Sequence, residues 1–311
     1  MKAERLLRPR LGVLARPSVE RAVGGICFAL AIILLGLGLD LTINDFRRVG
    51  RHPRAVAVAL GCQLVLLPAI CFGLVVLLDL PPLLGIGMML LAASPGGTSA
   101  NLFSHLFRGD VALNITLTAI NSVIALFTLP LVAGLAISYY DRGDDVSLPF
   151  GEVVQVFAIV LVPVVIGMVV RARAASFAAR MERPVRIGSA LILAVLVLGI
   201  LLDQRENVGE YFAEVGLAAG LFCAISLVLG YVVPKAAGIS EDQAIASSME
   251  IGVHNATLAI FVAVEVLDQT EISVPAAVYS LFMFVLASIW GSFIARRSRP
   301  AAATTTTTVA S

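Results

Sequence analysis

The sequence has few charged residues, and its cations avoid the apolar stretches. Charged residues make up 14% of the 311 residues and hydrophobic residues 59%, whereas soluble domains have roughly 25% and 45–50%. All 22 lysines and arginines lie in the tails or between apolar runs, since a cation at the centre of a bilayer costs at least about 2.5 kcal/mol. The composition excludes an ordinary soluble domain and indicates an integral membrane protein. We expect the lipid bilayer as a partner, and no nucleic acid.

Cysteine is also scarce, and its placement argues against a cysteine-based metal or redox centre. The four cysteines lie in apolar runs, and none of them forms a CxxC pair. We interpret them as small buried hydrophobic residues.

Nine apolar stretches are each long enough to cross a hydrocarbon core of about 30 Å as a helix. They predict spans at 22–39, 55–78, 82–105, 111–137, 153–170, 185–202, 211–233, 241–266 and 274–295. A basic N-terminal tail, residues 1–21, precedes them, and residues 297–311 are predicted to form a disordered C-terminal tail. The predicted fold is therefore an all-α polytopic membrane protein with its transmembrane domain at 22–296.

Lysine and arginine are unevenly distributed over the two sides of these spans. Fourteen lie on one side, and only Arg142 and Arg205 lie in loops on the other. The positive side is expected to be cytoplasmic. The protein is therefore expected to span the cell membrane several times, with its C-terminus on the cytoplasmic side. Nine spans then put the N-terminal tail outside, although the six cations of that tail argue for the opposite side.

Two of the spans are interrupted by residues that do not favour a continuous apolar helix. The interruptions lie within LLAASPGGTSANLFSH (90–105) and SSMEIGVHNATLAI (247–260). Irregular backbone at membrane depth is tolerated only where it is buried in protein or lines a cavity. Because paired broken helices in corresponding halves are typical of a transporter's binding site, we expect the two breaks to cross near the membrane midplane.

The order plain, broken, plain helix occurs twice, at 55–137 and at 211–295. Corresponding helices of the two units are separated by an odd number of spans. The second unit should therefore be inverted relative to the first, which predicts inverted repeats.

Glu250 is the only acidic residue in the middle of a predicted span. A carboxylate at that depth is costly and needs a partner, and no lysine or arginine lies near the middle of any span. A bound metal cation would serve as that partner. The alternative is a protonated Glu250 that donates to a neighbouring carbonyl.

The span after the first broken one carries a polar stripe at the spacing of one helix face. Its members are Asn114, Thr118, Asn121 and Ser122. A hard cation prefers several oxygen ligands, so we favour a ligand role for Asn114 and Thr118. For Asn121 and Ser122 we favour hydrogen bonding between helices. Gln63, in the plain span before the first break, could play either role.

Each interruption is followed by a new half-helix. The N–H groups and the positive dipole end of such a half-helix favour an anion. Carbonyl groups released on the opposite side of the break favour a cation. One pair of breaks can therefore bind a cation and an anion together.

The stretches SPGGTSANLFSHLFRGDVALN and EIGVHNATLAI, at this separation, resemble the bile acid:sodium symporter family, over about residues 37–295. The resemblance implies a core domain, here at about 55–137 and 211–295, and a panel domain, here at about 22–39, 153–170 and 185–202. It also implies sodium-coupled symport of an organic anion across the plasma membrane by alternating access. The anion would be bile-acid-like or a small organic acid.

The resemblance further implies one or two bound sodium ions at two sites that share Glu250. Carried over to this sequence, the first site would use Asn101, Asn114, Thr118 and Glu250, and the second would use Gln63, Glu250, the backbone carbonyls of Ile251 and Val253, and the side chain of His254. Two departures are expected to weaken these sites. Ala100 stands where some relatives have a serine ligand, and His254 stands where they have glutamine.

Thr98 and Asn255 match the positions that contact the solute's acid group in that family. Three alternatives stay open: a channel, a sodium-independent organic anion carrier, and a membrane-embedded hydrolase that uses Ser99 and His254. A channel would not need a carboxylate shared by two oxygen clusters. The preferred interpretation is a carrier and not an enzyme, and no catalytic residue is assigned.

Overall fold

The computed structural model describes residues 48–140, 165–181, 208–267 and 269–297, together with a few isolated positions. The predicted spans 22–39, 153–170 and 185–202 lie largely outside the described residues, as do both predicted tails. The chain divides into two compact units, Met1–Ile43 with Leu148–Asp203, and Asn44–Ser147 with Gln204–Ser311. In the first unit the described residues 165–173 and 175–181 are helical. The helices below all belong to the second unit.

Eight helices form the described part of the second unit. They are α1 (Pro53–Leu77), α2 (Pro82–Ala93), α3 (Thr98–Leu106), α4 (Val111–Tyr140), α5 (Val208–Ala236), α6 (Glu241–Gly252), α7 (Ala256–Phe261) and α8 (Thr270–Arg297). A π-helical turn, Cys62–Leu66, interrupts α1, and a second one, Val262–Val266, continues α7. The all-helical fold is therefore confirmed for this unit, and the six spans predicted there agree with the helices to within four residues at each end.

Local sequence explains where several of these helices begin. Proline occupies the first position of α1 and of α2, where its missing N–H leaves no helical hydrogen bond unmade. Ser240 precedes α6, whose first turn carries two acids that interact favourably with the positive end of the helix dipole.

Three of the described helices are long and apolar enough to cross a membrane, namely Pro53–Leu77, Phe212–Ala236 and Thr270–Arg296. A fourth, α4, contains Pro130 and qualifies when its two bent parts are counted as one span. The remaining helices are the halves of the two broken spans. Each half is too short to cross alone.

The helices of residues 53–140, here the first set, also pack on those of residues 208–297, the second set. Helix α4 of the first set packs on α6 of the second, and α8 of the second set packs on α2 of the first. Helices α2 and α8 approach each other closely at Gly87. A Cβ at this position would overlap the Ile272 carbonyl. On the other side, the Asn114 side chain donates to the Ala246 carbonyl over 2.8 Å. The two predicted repeat units are therefore packed together in one body, and their inverted relation stays a prediction.

Helix α6 lies at the centre of this arrangement. All of its residues from 244 to 252 are buried, and it packs against α3, α4, α5 and α8. A polar side chain in this buried part of α6 therefore faces protein, which brings Glu250 into the interior of the unit.

Candidate binding site at the crossing of the two broken helices

The two breaks pair with each other through their backbones. Gly96 and His254 form an antiparallel β-bridge. The Gly97 N–H donates to the Val253 carbonyl, and the Asn255 N–H donates to the Pro95 carbonyl, each over 2.8 Å. In a continuous helix these donors would bond four residues back along their own chain. Each break thus satisfies backbone groups of the other, as a non-helical segment at membrane depth requires.

Glu250 lies directly beside this bridge and is 2% exposed. Its Oε1 accepts a hydrogen bond from the Gly96 N–H over 3.2 Å, and its Oε2 accepts one from the Thr118 hydroxyl over 2.5 Å. The amide of Asn121 lies nearby. Both hydrogen-bonding partners are neutral, so they orient a carboxylate without balancing a charge on it.

The predicted first sodium site is assembled from α3, α4 and α6. Asn114 and Thr118 lie on the face of α4 that packs on α6, and Asn101 lies on α3, which contacts both helices. The oxygens Oδ1 of Asn101 and Oδ1 of Asn114 are buried and have no hydrogen-bond partner. An unpaired buried acceptor costs about 1–3 kcal/mol, so these two oxygens mark a place for a donor or a cation. Ala100 is fully buried beside them and supplies no oxygen.

The predicted second site brings together Gln63, Ser94 and His254. Gln63 lies in the π-helical turn of α1, a type of irregularity that often occurs at functional sites. Its Nε2 donates to the Ser94 carbonyl over 3.0 Å, whereas its Oε1 is buried without a partner. His254 Nδ1 is 3.2 Å from the same carbonyl.

The two predicted backbone ligands of this second site differ in availability. The Val253 carbonyl already accepts the Gly97 N–H. The Ile251 carbonyl is released from helical bonding, because the Asn255 N–H that would reach it in a continuous helix donates to Pro95 instead.

His254 is surrounded by aromatic side chains that no sequence pattern singled out. Phe222 stacks on its ring, with centroids 5.6 Å apart and an interplanar angle of 17°, and Tyr279 packs edge-on at 5.4 Å. The Tyr279 hydroxyl also donates to the Gly252 carbonyl over 2.9 Å, at the end of α6. Both aromatics lie within unbroken apolar spans, where a core aromatic and a site aromatic look the same.

The predicted solute ligands lie at the starts of the two second half-helices. Asn255 caps α7, because its side-chain oxygen accepts the Leu258 N–H over 3.1 Å. The remaining polar group of this side chain is its NH2 donor. Thr98 is the first residue of α3, and its side chain lies outside what the structure describes.

Three further residues named from the sequence are also located. Asn121, for which we favoured hydrogen bonding between helices, lies near Glu250 of α6. The hydroxyl of Ser122 is buried without a partner, so it forms no hydrogen bond to another helix, unlike the expectation from the sequence. His254 bonds to Ser94 through Nδ1 and has no partner at Nε2, so it is not paired with Ser99 as a hydrolase would require.

Comparison with known proteins identifies the family of this chain. The model of the Sodium Bile acid symporter family matches residues 27–211, more than half of the chain. The chain belongs to this family. Its members among the curated proteins include sodium-dependent transporters from bacteria, plants and animals.

Three relatives illustrate the range of the Sodium Bile acid symporter family. The chain is 28% identical to the probable sodium/metabolite cotransporter BASS1 of Arabidopsis thaliana, over 87% of this chain and 66% of that protein, slightly less than two thirds of its length. It is 25% identical to the uncharacterized sodium-dependent transporter YocS of Bacillus subtilis (strain 168), over 86% and 83% of the two chains. It is 24% identical to the human ileal sodium/bile acid cotransporter, over 85% and 76%.

Proposed function

We propose that this protein couples the inward movement of sodium to the symport of an organic anion across the plasma membrane by alternating access. The observation that carries the proposal is the buried Glu250 carboxylate on α6, together with two buried amide oxygens without partners, those of Asn101 and Asn114, on the helices α3 and α4 that pack on α6. Carboxylate, amide and hydroxyl oxygens are the ligands that a hard cation prefers. Sodium would balance the charge on Glu250 and satisfy the two unpaired amides.

The crossing also explains how a solute could be coupled to this cation. The Gly96 N–H contacts Glu250, and the same break leads directly into α3, where Thr98 is predicted to contact the solute. An ion that fixes Glu250 therefore also fixes the breaks from which the solute ligands extend. Ordering of one site then favours binding at the other, and the effect is reciprocal.

For the solute we propose an organic anion, either bile-acid-like or a small organic acid. The relatives are named for bile acids, for metabolites and, in one human protein 25% identical to this chain, for organic anions. In this chain the NH2 group of Asn255 is a donor suited to an acid group. The oxygen of the same side chain is already occupied, because it caps α7.

Uptake into proteoliposomes tests the proposal. Purified protein would be reconstituted, and accumulation of a labelled bile acid and of several short carboxylic acids would be compared under equal inward gradients of sodium and of potassium. We expect accumulation above equilibrium for at least one acid with sodium only. Equal uptake in both salts would instead indicate a sodium-independent carrier, and a non-saturating flux would indicate a channel.

A neutral analogue should compete poorly with the transported acid. Hydrogen bonds to a charged group contribute about 1.5–3 kcal/mol, against about 1 kcal/mol for neutral pairs. The difference of about 0.5–2 kcal/mol predicts that the amide of the transported acid inhibits roughly 2- to 30-fold less well than the acid for each such hydrogen bond. Inhibition constants for the acid, the amide and the methyl ester would be measured in the same assay. Equal inhibition by acid and amide would contradict an anion site at Thr98 and Asn255.

The distribution of lysine and arginine predicts the orientation of the protein. The loop that contains Arg180 should be cytoplasmic, and the acidic loop at Asp144 and Asp145 external. Single cysteines at positions 144 and 180, in a background without native cysteines, would be treated in whole cells with an impermeant thiol reagent. Labelling at 144 and not at 180 is expected, and the opposite pattern would reverse the orientation.

A further inference from the structure

The imidazole of His254 is held in one orientation. It is 1% exposed and lies between Phe222 and Tyr279, which are both fully buried. Its Nδ1 is 3.2 Å from the Ser94 carbonyl, which can only accept a hydrogen bond. Gln63 Nε2, which can only donate, is also 3.5 Å from Nδ1. Because the Ser94 carbonyl is closer to Nδ1, the proton of a neutral ring is assigned to Nδ1. The other nitrogen, Nε2, presents a lone pair and is buried without a partner.

The backbone oxygens near this ring are already engaged. The Ser94 carbonyl accepts both from Gln63 Nε2 and from His254 Nδ1, which uses its two lone pairs. The Val253 carbonyl accepts from the Gly97 N–H. At the predicted second sodium site, here called the second position, four groups are left. They are the Oε1 of Gln63, the carbonyl of Ile251, the Glu250 carboxylate, which the predicted first site (the first position) also uses, and the Nε2 of His254.

The first position offers a different set of ligands. There the unpaired groups are both oxygens, from Asn101 and Asn114, beside the Thr118 hydroxyl and the Glu250 carboxylate. A hard cation prefers such oxygens, whereas a neutral imidazole nitrogen suits metals such as zinc, copper and nickel. The nitrogen of His254 and the oxygen of Gln63 better fit a hydrogen-bond donor such as a buried water.

We infer that His254 determines the ion stoichiometry of this protein by excluding sodium from the second position, so that the chain binds a single sodium ion at the first. A glutamine at position 254 would offer an oxygen where Nε2 now lies. The inference rests on the proposed sodium coupling, and it concerns which of two positions the ion occupies.

Equilibrium binding of radioactive sodium to the purified full-length protein tests the inference without knowledge of the solute. At about pH 8 an ordinary imidazole is neutral. We expect saturation at about one ion per chain for the wild type and about two for His254→Gln. Asn114→Ala should lose the wild-type ion, whereas Asn114→Ala combined with His254→Gln should keep about one.

Each other outcome would overturn a specific part of this account. Two ions on the wild type would show that His254 does not exclude sodium, and one ion on a folded His254→Gln protein would show that another residue sets the count. Absence of saturable sodium binding from both proteins would reject the proposed coupling itself. If His254→Gln fails to fold, the wild-type count alone decides between one ion and two.

Discussion

Replacing Glu250 with glutamine is expected to abolish sodium-dependent uptake while leaving the protein folded. The substitution keeps the size of the side chain and removes the only charge that we place against the ion. A hydrogen bond or ion contact to a charged group is worth about 1.5–3 kcal/mol, so sodium affinity should fall roughly 10- to 100-fold or more. Uptake under a sodium gradient and sodium binding would both be measured.

The fold should survive this change because the neighbouring hydroxyl can reverse its role. Thr118 lies within hydrogen-bonding distance of the Asn114 carbonyl, at 3.1 Å, as well as of Glu250. It can donate to that carbonyl and accept from the new amide. Asp242→Asn is the matched control, since Asp242 lies exposed at the start of the same helix; it should transport normally. Full sodium-dependent uptake by Glu250→Gln would remove Glu250 from the ion site.

Adding a single methyl group at Gly96 is expected to be nearly as damaging. A Cβ at this position would overlap the carboxyl group of Glu250, which must then move away from the Gly96 N–H and from Thr118. Overpacking of this kind costs about 1–3 kcal/mol of stability, and the displaced carboxylate should bind sodium poorly. Thermal melting and sodium binding of Gly96→Ala would be compared with those of the wild type.

Two other glycines provide graded controls for this substitution. A Cβ at Gly97 would approach the His254 carbonyl to 3.3 Å, a tight contact that a small shift can relieve, and a Cβ at Gly73 would meet nothing within 4 Å. Gly97→Ala should therefore have a mild effect and Gly73→Ala none on sodium binding. Equal effects at positions 96 and 73 would show that the overlap with Glu250 is unimportant.

The helices and their breaks could be predicted because they depend on local sequence. Apolar length gave the spans, and proline and glycine at 95–97 gave the first break, since proline cannot continue helical hydrogen bonding and glycine favours irregular backbone. The second break has no proline. It could still be located, because Glu250, Gly252, His254 and Asn255 lie within six residues of an apolar run. The π-helical turn at Gln63 has no comparable signal and was missed.

The composition of the site was predictable to a lesser degree. The positions of Glu250, Asn114 and Thr118 follow from one acid in a span and from one helix face. The backbone pairing of Gly96 with His254, the contact of His254 with the Ser94 carbonyl, and the approach of Asn121 to Glu250 join residues more than 100 positions apart. No local pattern reports such contacts. Tyr279 and Phe222 were missed for the same reason.

The central claim is that sodium and an organic anion bind at this crossing and stabilise each other. Thermal melting of the purified protein tests it most directly, because a ligand that binds only the folded state raises its stability. Melting temperatures would be compared in sodium chloride and in potassium chloride at equal concentration, each with and without a panel of organic acids. We predict that sodium raises the melting temperature, that potassium does not, and that at least one acid raises it further only when sodium is present. Identical melting temperatures in the two salts, with any response to the acids independent of sodium, would contradict the account.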